Sequence, residues 1–457
     1  MTFWTLDRVA DALQPIAKGN LPRGAAELQR VWTDTRTITR GDLFVALVGE
    51  RFDAHEFLPQ AVASGAAAVV VSRVEAARGL GVPVFDVRDT LVALGSLGRY
   101  RRCAWNKPVV AVVGTNGKTS TKELLKAALG SGLEAHATQG NLNNLVGVPL
   151  TLLALPDHAD IAVVEMGTNQ PGEVARLRAI IEPNITVVTS IAEEHLEGLG
   201  DLAGVMREEL AACDGVPTTI VPAAQPDVAE AARKLSPRVV TAGLDSGDLK
   251  ADRWKLEADG RGSIVLGGIP IEVPLRGVHN LRNTMLALAV SREAGVPFEL
   301  AARGIQGMQL PPMRSNVEQI GRVTLVNDAY NSNPGSARAA LELLHHAGHG
   351  RQRVAVLGTM LELGPSGPTL HETLAREALA SPIEVIAGLG EFAAALERVG
   401  GGGAANRVVT ASDVESLWNR LSSRLEPDAV ILLKASRGVR LEQLVPKIKE
   451  WVETRTR

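Results

Sequence analysis

Two cysteines in 457 residues are too few to staple a fold, so a disulfide scaffold is excluded and a reducing compartment fits. Charge of one sign is missing as well. The formal net charge of −3 exerts no global pull toward nucleic acid or an anionic membrane. No apolar run is long enough to cross a bilayer, so no membrane insertion is expected. The opening MTFWTLDRVADALQP lacks a basic region followed by an apolar core, so a secretory signal is not expected either. No fixed-period repeat is present. The expectation is a cytoplasmic monomer with small-molecule partners and no nucleic acid.

What is present is ample core material: 45 % hydrophobic residues against 22 % charged ones. The length prior gives about three domains, and the chain separates by pattern into three α/β segments, 1–106, 107–313 and 314–457. The first has DLFVAL (Asp42–Leu47) and AAAVVV (Ala66–Val71) as its clearest strands. A basic, poorly periodic stretch, RYRRCAWNKP, ends at Pro108 and reads as a linker. The second alternates strands such as IAVVE, ITVVT and TTIVP with helical stretches, the rhythm of a parallel sheet covered on both faces. Short strands split by glycine turns follow, and then a helix from about Asn280 to Ala294. The third segment repeats the alternation from VTLVN to AVILLK, a second doubly wound, Rossmann-like sheet.

The most informative stretch is VVAVVGTNGKTSTKELL, Val109–Leu125. A short β-branched apolar run predicts a central strand, and Gly114 and Gly117 permit a tight loop. Lys118 sits at the mouth of a helix whose Leu124, Leu125, Ala128 and Leu129 share one face. Free N–H groups, the helix dipole and an ammonium there converge on one spot, as a phosphate cradle requires. Gly114, Thr115, Asn116, Gly117, Lys118, Thr119 and Ser120 are the candidate phosphate-binding residues, with the Thr119 hydroxyl placed for Mg²⁺. The common pattern wants glycine where this chain has Val112, which leaves a plain glycine turn as the alternative.

Ligands of open parallel sheets sit beyond the carboxyl ends of the strands, and unusual polar residues follow several strand ends. Glu165 closes IAVVE, His195 follows ITVVT, and Asn141, Asn143 and Asn144 lie in GNLNNLVGVPL. A carboxylate and an imidazole near a phosphate loop make a candidate Mg²⁺ cluster. In NDAYNSNPGS, Asp328, Asn331 and Asn333 offer hydrogen bonds to ribose or phosphate, the alternative being a helix-capping loop. Glu362, Lys434 and Arg437 occupy equivalent loops.

These motifs resemble, in order and over almost the whole chain, the ATP-dependent Mur ligases of peptidoglycan synthesis. The run is DTRTITRGDLFVALVGERFDAHEF, GTNGKTSTKELL, GNLNNLVGVPLTLL, EMGTNQPGEV, EHLEGLG, GVHNLRN, MRSNVE, NDAYNSNPGS, MLELG and KASRG. The phosphate-loop variant is shared with folylpolyglutamate synthase, whereas NDAYNSNP with NLNNLVGVPLTLL points to the branch that adds D-alanyl-D-alanine to UDP-N-acetylmuramoyl-tripeptide.

The resemblance implies a UDP-sugar-binding first domain, an ATP-binding second domain and a third that brings the amino compound and part of the ATP site. It implies an acyl phosphate formed from ATP and attacked by an amine. Lys118 and Mg²⁺ would offset repulsion between carboxylate and γ-phosphate. Thr119 and Glu165 would hold one Mg²⁺, and His195 another. Asn280 and Asn283 would lie near adenine, Arg314, Asp328 and Asn331 on the ATP side, and Tyr330 and Asn333 on the substrate side. Asp34, Thr35, Arg36, Phe44 and His55 fall in the UDP motif, where a bare strand and turn is the alternative.

The sequence departs from the family at two places. Thr359 stands where GDMLELG has aspartate, and no role is assigned to it. Most Mur ligases also carry, after HLEGFG, a lysine that becomes a carbamate. Ungapped counting puts Glu209 there, and its carboxylate is expected to supply the carbamate's negative oxygen. The alternative is an exposed helix glutamate, with Glu208 beside it. At the level of activity, folylpolyglutamate synthesis and a non-catalytic nucleotide-binding regulator stand as rivals.

Overall fold

The short strands of the N-terminal segment bury both faces. In the parallel sheet Val31–Trp32, Leu43–Val45, Ala68–Val71, Val84–Asp86, successive side chains alternate between two cores. Leu43, Val45, Ala68, Val70 and Phe85 pack on Val9, Leu13, Leu94 and Leu97, whereas Phe44, Val69 and Val71 pack on Leu58 and Ala61. That alternation corrects one expectation: the Phe44 ring is fully buried in the second core and has no face to offer a substrate.

The computed structural model describes residues 2–49, 51–257, 259–308, 316–400 and 406–455. Arg314 lies outside the described residues. The chain divides into two compact units, one of Met1–Ala111, Glu134–Thr168 and Gly172–Ile185, the other of Val112–Leu133, Asn169–Pro171 and Thr186–Arg457.

The stretch RYRRCAWNKP is not a linker. It completes a helix, Thr90–Trp105, capped by the Asp89 side chain and ended by Asn106 at φ +50°. Two of its arginines are internal: Arg101 donates to the Leu155 carbonyl and to Asp157, and Arg102 Nε donates to the Ile181 carbonyl at 2.9 Å. A guanidinium can be buried when its donors meet carbonyls and carboxylates. Periodicity counted on apolar residues alone misses such a helix.

Seven strands bond in the order Leu249–Lys250, Val239–Gly243, Thr218–Pro222, Ile185–Val188, Val109–Val113, Ile161–Glu165, Ala135–Ala137. The expected glycine-split strands form an antiparallel ribbon, Arg253–Leu256, Gly262–Leu266 and Ile269–Val273, before the helix Val278–Glu293. In the last segment the order is Asn316–Ile320, Val323–Asp328, Val430–Lys434, Arg353–Leu357, Val385–Leu389, Val408–Ala411. The first pair is antiparallel and the rest parallel, with helices between the strands. Its core gathers Leu325, Val356, Ile431 and Leu433 from the strands and Leu417, Leu421 and Ile448 from the helices. Among the described residues no helix is long and apolar enough to cross a membrane.

Candidate active site

Val109–Val113 is wholly buried, and the chain leaves it at Gly114, where φ is +123°. Glycine is required there: a Cβ would lie 2.5 Å from Thr189 Oγ1 and 2.8 Å from the Ser190 carbonyl. At Gly117, φ is +85° and a Cβ would meet the Asn283 amide at 2.8 Å. The helix Lys118–Leu129 then begins, with its apolar face on Leu124, Leu125, Ala128 and Leu129. The first N–H groups of such a helix have no partner within it, which leaves donors for an anion.

The loop before that helix is tied internally. Gly114 N–H donates to Glu209 Oε2 at 2.9 Å, Thr115 N–H to the Ser190 carbonyl at 2.7 Å, and Asn116 N–H to Ser190 Oγ at 3.2 Å. The Thr115 hydroxyl donates to the Ala192 carbonyl and accepts the Ala192 N–H. Lys118 Nζ donates to the carbonyls of Gly114, at 2.5 Å, and Thr115, at 3.1 Å. Thr119 and Ser120 are buried in the first turn of the helix.

Charge is concentrated around this loop. Glu194 Oε2 lies 3.9 Å from Lys118 Nζ and is buried with no hydrogen-bond donor, while its Oε1 accepts from Asn331 Nδ2 at 3.0 Å. Sequence reasoning passed over Glu194; its signal was a carboxylate immediately before His195 at a strand end. His195 adopts φ +53°, and its Nδ1 is hydrogen-bonded to Glu362. Burial disfavours the charged ring, but the Glu362 hydrogen bond and nearby Glu194 prevail and raise its pKa. Glu209 is fully buried, not an exposed helix glutamate; burial chiefly, with Glu194 adding, pushes its pKa up to about 6 against the opposing pull of Lys118. Two carboxylates, an ammonium and an imidazole thus share a space sheltered from water.

Residues of the last segment join this cluster. Asn116 and Asn333, 217 positions apart, exchange amide hydrogen bonds of 3.2 and 2.9 Å, and Asn333 also caps the helix Pro334–Ala347. Asp328 pairs with the buried Lys434 at 2.7 Å, and Lys434 donates to the Asn331 carbonyl at 2.6 Å. The Tyr330 ring carries the Arg437 guanidinium at 5.9 Å. Asn280 and Asn283 are buried and bonded to each other at 3.2 Å, with Asn283 packed against Gly117. Thr359 accepts the N–H of Glu391, so at this position it caps a helix.

In the other unit, Glu165 ends its strand buried, and its Oε1 accepts from Asn143 Nδ2 at 2.9 Å. The Asn144 side chain accepts the N–H groups of Val146 and Gly147 in the turn that leads into the helix Gly147–Leu153, and the Asn141 carbonyl accepts the Asn143 N–H just before it. Both nitrogens of buried His55 are engaged, Nδ1 with Asp53 at 2.6 Å and Nε2 with the Ser72 N–H at 2.9 Å. Asp34 caps the turn holding Thr35 and pairs with Arg36, whose guanidinium is open to solvent.

Among the described residues no three His, Cys, Asp or Glu side chains stand ready to cage a metal. The donor set around the loop nevertheless suits Mg²⁺. The buried Glu194 oxygen has no donor, and Mg²⁺ favours few carboxylates together with phosphate oxygens and water.

A glycine-bracketed loop joining a buried strand to a helix that opens Lys-Thr-Ser places the chain in the phosphate-loop α/β class. Family models narrow the class: the Mur ligase family catalytic domain matches residues 27–100, the Mur ligase middle domain 112–291, and the Mur ligase glutamate ligase domain 313–437. The UDP-N-acetylmuramoyl-tripeptide–D-alanyl-D-alanine ligase of Synechocystis is 35 % identical, covering 92 % of both chains. The enzyme of the same name from Escherichia coli is 34 % identical over 98 % of both. A crystal structure of MurF from Acinetobacter baumannii superposes with a TM-score of 0.89 at 30 % identity, covering 98 % of this chain and 99 % of that one. MurF from Thermotoga maritima, solved with ADP, gives 0.81 at 26 % identity, covering 93 % and 98 %. The chain belongs to the Mur ligase family.

Proposed function

We propose that this chain joins D-alanyl-D-alanine to UDP-N-acetylmuramoyl-tripeptide at the expense of ATP, as a cytoplasmic step in peptidoglycan precursor synthesis. The observation that carries the reading is Lys118, its ammonium folded back on the Gly114 and Thr115 carbonyls beside Glu194. The relatives named for that activity match 92 % and 98 % of this chain.

The chemistry follows from charge. A tripeptide carboxylate and the γ-phosphate are both anionic, so the first step needs positive charge at the phosphates. Lys118 supplies it by exchanging loop carbonyls for phosphate oxygens, and the N-terminal turn at Thr119 and Ser120 adds aligned N–H groups. The carboxylate oxygen bonds to the γ-phosphorus as ADP leaves. The D-alanyl-D-alanine amine then attacks the acyl carbon, releasing phosphate and a proton. Mg²⁺, when bound, contributes charge neutralisation at the transferring phosphate. In the unit that carries the loop, the Thr119 hydroxyl, Glu194 and His195 would hold it, and Glu165 remains the expected ligand at its own strand end. Glu209 holds Gly114 N–H and keeps a negative oxygen under the loop without modification, the part a carbamate plays in other members of the family. The UDP sugar falls to segment 1–106, ATP to 107–313, and the amino substrate with part of ATP to 314–457, where Asp328, Tyr330, Asn331 and Asn333 sit.

Phosphate release tests the reading. It should require both UDP-N-acetylmuramoyl-tripeptide and D-alanyl-D-alanine, and a folate with glutamate should not substitute. Release with neither substrate, or none with both, would overturn it.

A further inference from the structure

The loop Thr359–Gly364 has features that the phosphate site alone does not explain. Glu362 adopts φ +64° and its partner His195 φ +53°, so two side-chain-bearing residues in contact both occupy the left-handed region. Backbone of that kind persists only where its surroundings hold it. The surroundings here are specific. Glu197 N–H donates to the Glu362 carbonyl at 3.1 Å, and at Gly364 a Cβ would stand 3.1 Å from Glu197 Cα. The base of the loop is pinned from behind. Met360 N–H donates to His371 Nε2 at 2.8 Å, Leu361 N–H to Ser436 Oγ at 2.9 Å, and Ser436 N–H to the Thr359 carbonyl at 3.1 Å.

The Glu362 carboxylate, half-exposed, meets His195 at Nδ1. That contact settles which ring nitrogen carries the proton when the ring is neutral: Nδ1 is the donor, and Nε2, 3.9 Å from Glu194 Oε1, keeps its lone pair. A carboxylate behind an imidazole fixes ring orientation and raises basicity at the far nitrogen.

We infer that Glu362 is a positioning residue for His195: from a loop anchored on the C-terminal sheet, it holds Nδ1 so that Nε2 faces the Glu194 and Lys118 side of the phosphate loop. Asn331 acts in the same sense on Glu194. The two acidic and basic groups next to the loop are therefore set by residues of the last segment, not by their own strand end. This rests on the proposed reading of His195 as a cation ligand.

The test is a double-mutant cycle in the full-length protein, with Mn²⁺ as the probe. Free Mn²⁺ is followed by electron paramagnetic resonance during titration in the presence of ADP. Glu362→Ala should weaken Mn²⁺ binding about tenfold. Glu362→Gln, which keeps an acceptor for Nδ1–H, should recover most of the loss. In a His195→Ala background, Glu362→Ala should add nothing, because its partner is already gone. Nitrogen shifts of labelled histidine should show the His195 ring losing its single tautomer in Glu362→Ala and keeping it in Glu362→Gln. Wild-type Mn²⁺ affinity in Glu362→Ala, or an equal loss in both backgrounds, would overturn the inference. Misfolding of Glu362→Ala, seen by circular dichroism, leaves Glu362→Gln to decide: loss of the single His195 tautomer there also overturns it. Failure of the proposed function looks different, since unmutated protein would then release no phosphate with both substrates.

Discussion

The phosphate loop and the turns holding Asp34–Arg36 and Asp53–His55 make an instructive pair. Both are polar and both follow buried strands, yet they use polarity in opposite ways. Around His55 the bonding is closed: each ring nitrogen has a partner, and Asp53 also meets Arg73. Around Lys118 the bonding is incomplete. Glu194 Oε2 is buried without a donor, Glu209 is held above its usual pKa, and an ammonium rests on backbone carbonyls. A closed polar set stabilises a fold, whereas buried charge left mismatched is kept for a ligand that balances it.

Substitutions can break that contrast. The largest effect belongs to Lys118→Ala, which should lower turnover on the order of 10³-fold, as expected for a lost electrostatic contact to transferring charge. Its thermal midpoint should stay near that of the unmutated protein, and wild-type-like turnover would abolish the distinction. Next comes Glu209→Ala, with turnover down roughly 10- to 100-fold. Bicarbonate should leave the unmutated protein unaffected and raise the activity of Glu209→Lys. Full activity in Glu209→Ala would move Glu209 into the purely structural class.

Glu209 also gives a pH signature. Its folded pKa is raised to about 6, so the folded state binds the proton more tightly than the unfolded chain. The stabilisation this brings is complete below the unfolded value near 4.5 and is lost as pH climbs through about 6. Glu209→Gln should therefore gain stability relative to the unmutated protein between pH 5 and 7, by up to about 2 kcal/mol. Urea midpoints across that range would show it.

On the closed side, His55→Ala should cost about 2–3 kcal/mol of stability, because it empties the place of a buried ring and takes the acceptor from the Ser72 N–H. Intact phosphate-loop chemistry in that variant would sharpen the comparison. The smallest change is Asn144→Ala, about 1 kcal/mol for the lost side-chain acceptor of the Val146 and Gly147 N–H groups, read from the denaturation midpoint.

The sequence carried the local parts of this picture. The strand Val109–Val113, both loop glycines, the helix face from Leu124 to Leu129 and the C-terminal strands follow from spacing and composition, because each depends on neighbours in sequence. The helix Thr90–Trp105 escaped because its last turns bury arginines on distant carbonyls. The Asn116–Asn333 pair and the His195–Glu362 contact join residues far apart in the chain, and no local pattern encodes such meetings. Glu209 was located by resemblance, yet its burial against Gly114 is visible only in three dimensions.

The left-handed backbone at His195 and Glu362 has a practical edge for anyone selecting hardier variants of this chain. Glycine or asparagine accepts that conformation more readily than histidine or glutamate. A heat-based screen would thus be drawn to positions 195 and 362, and its winners would trade away the imidazole and its carboxylate for robustness.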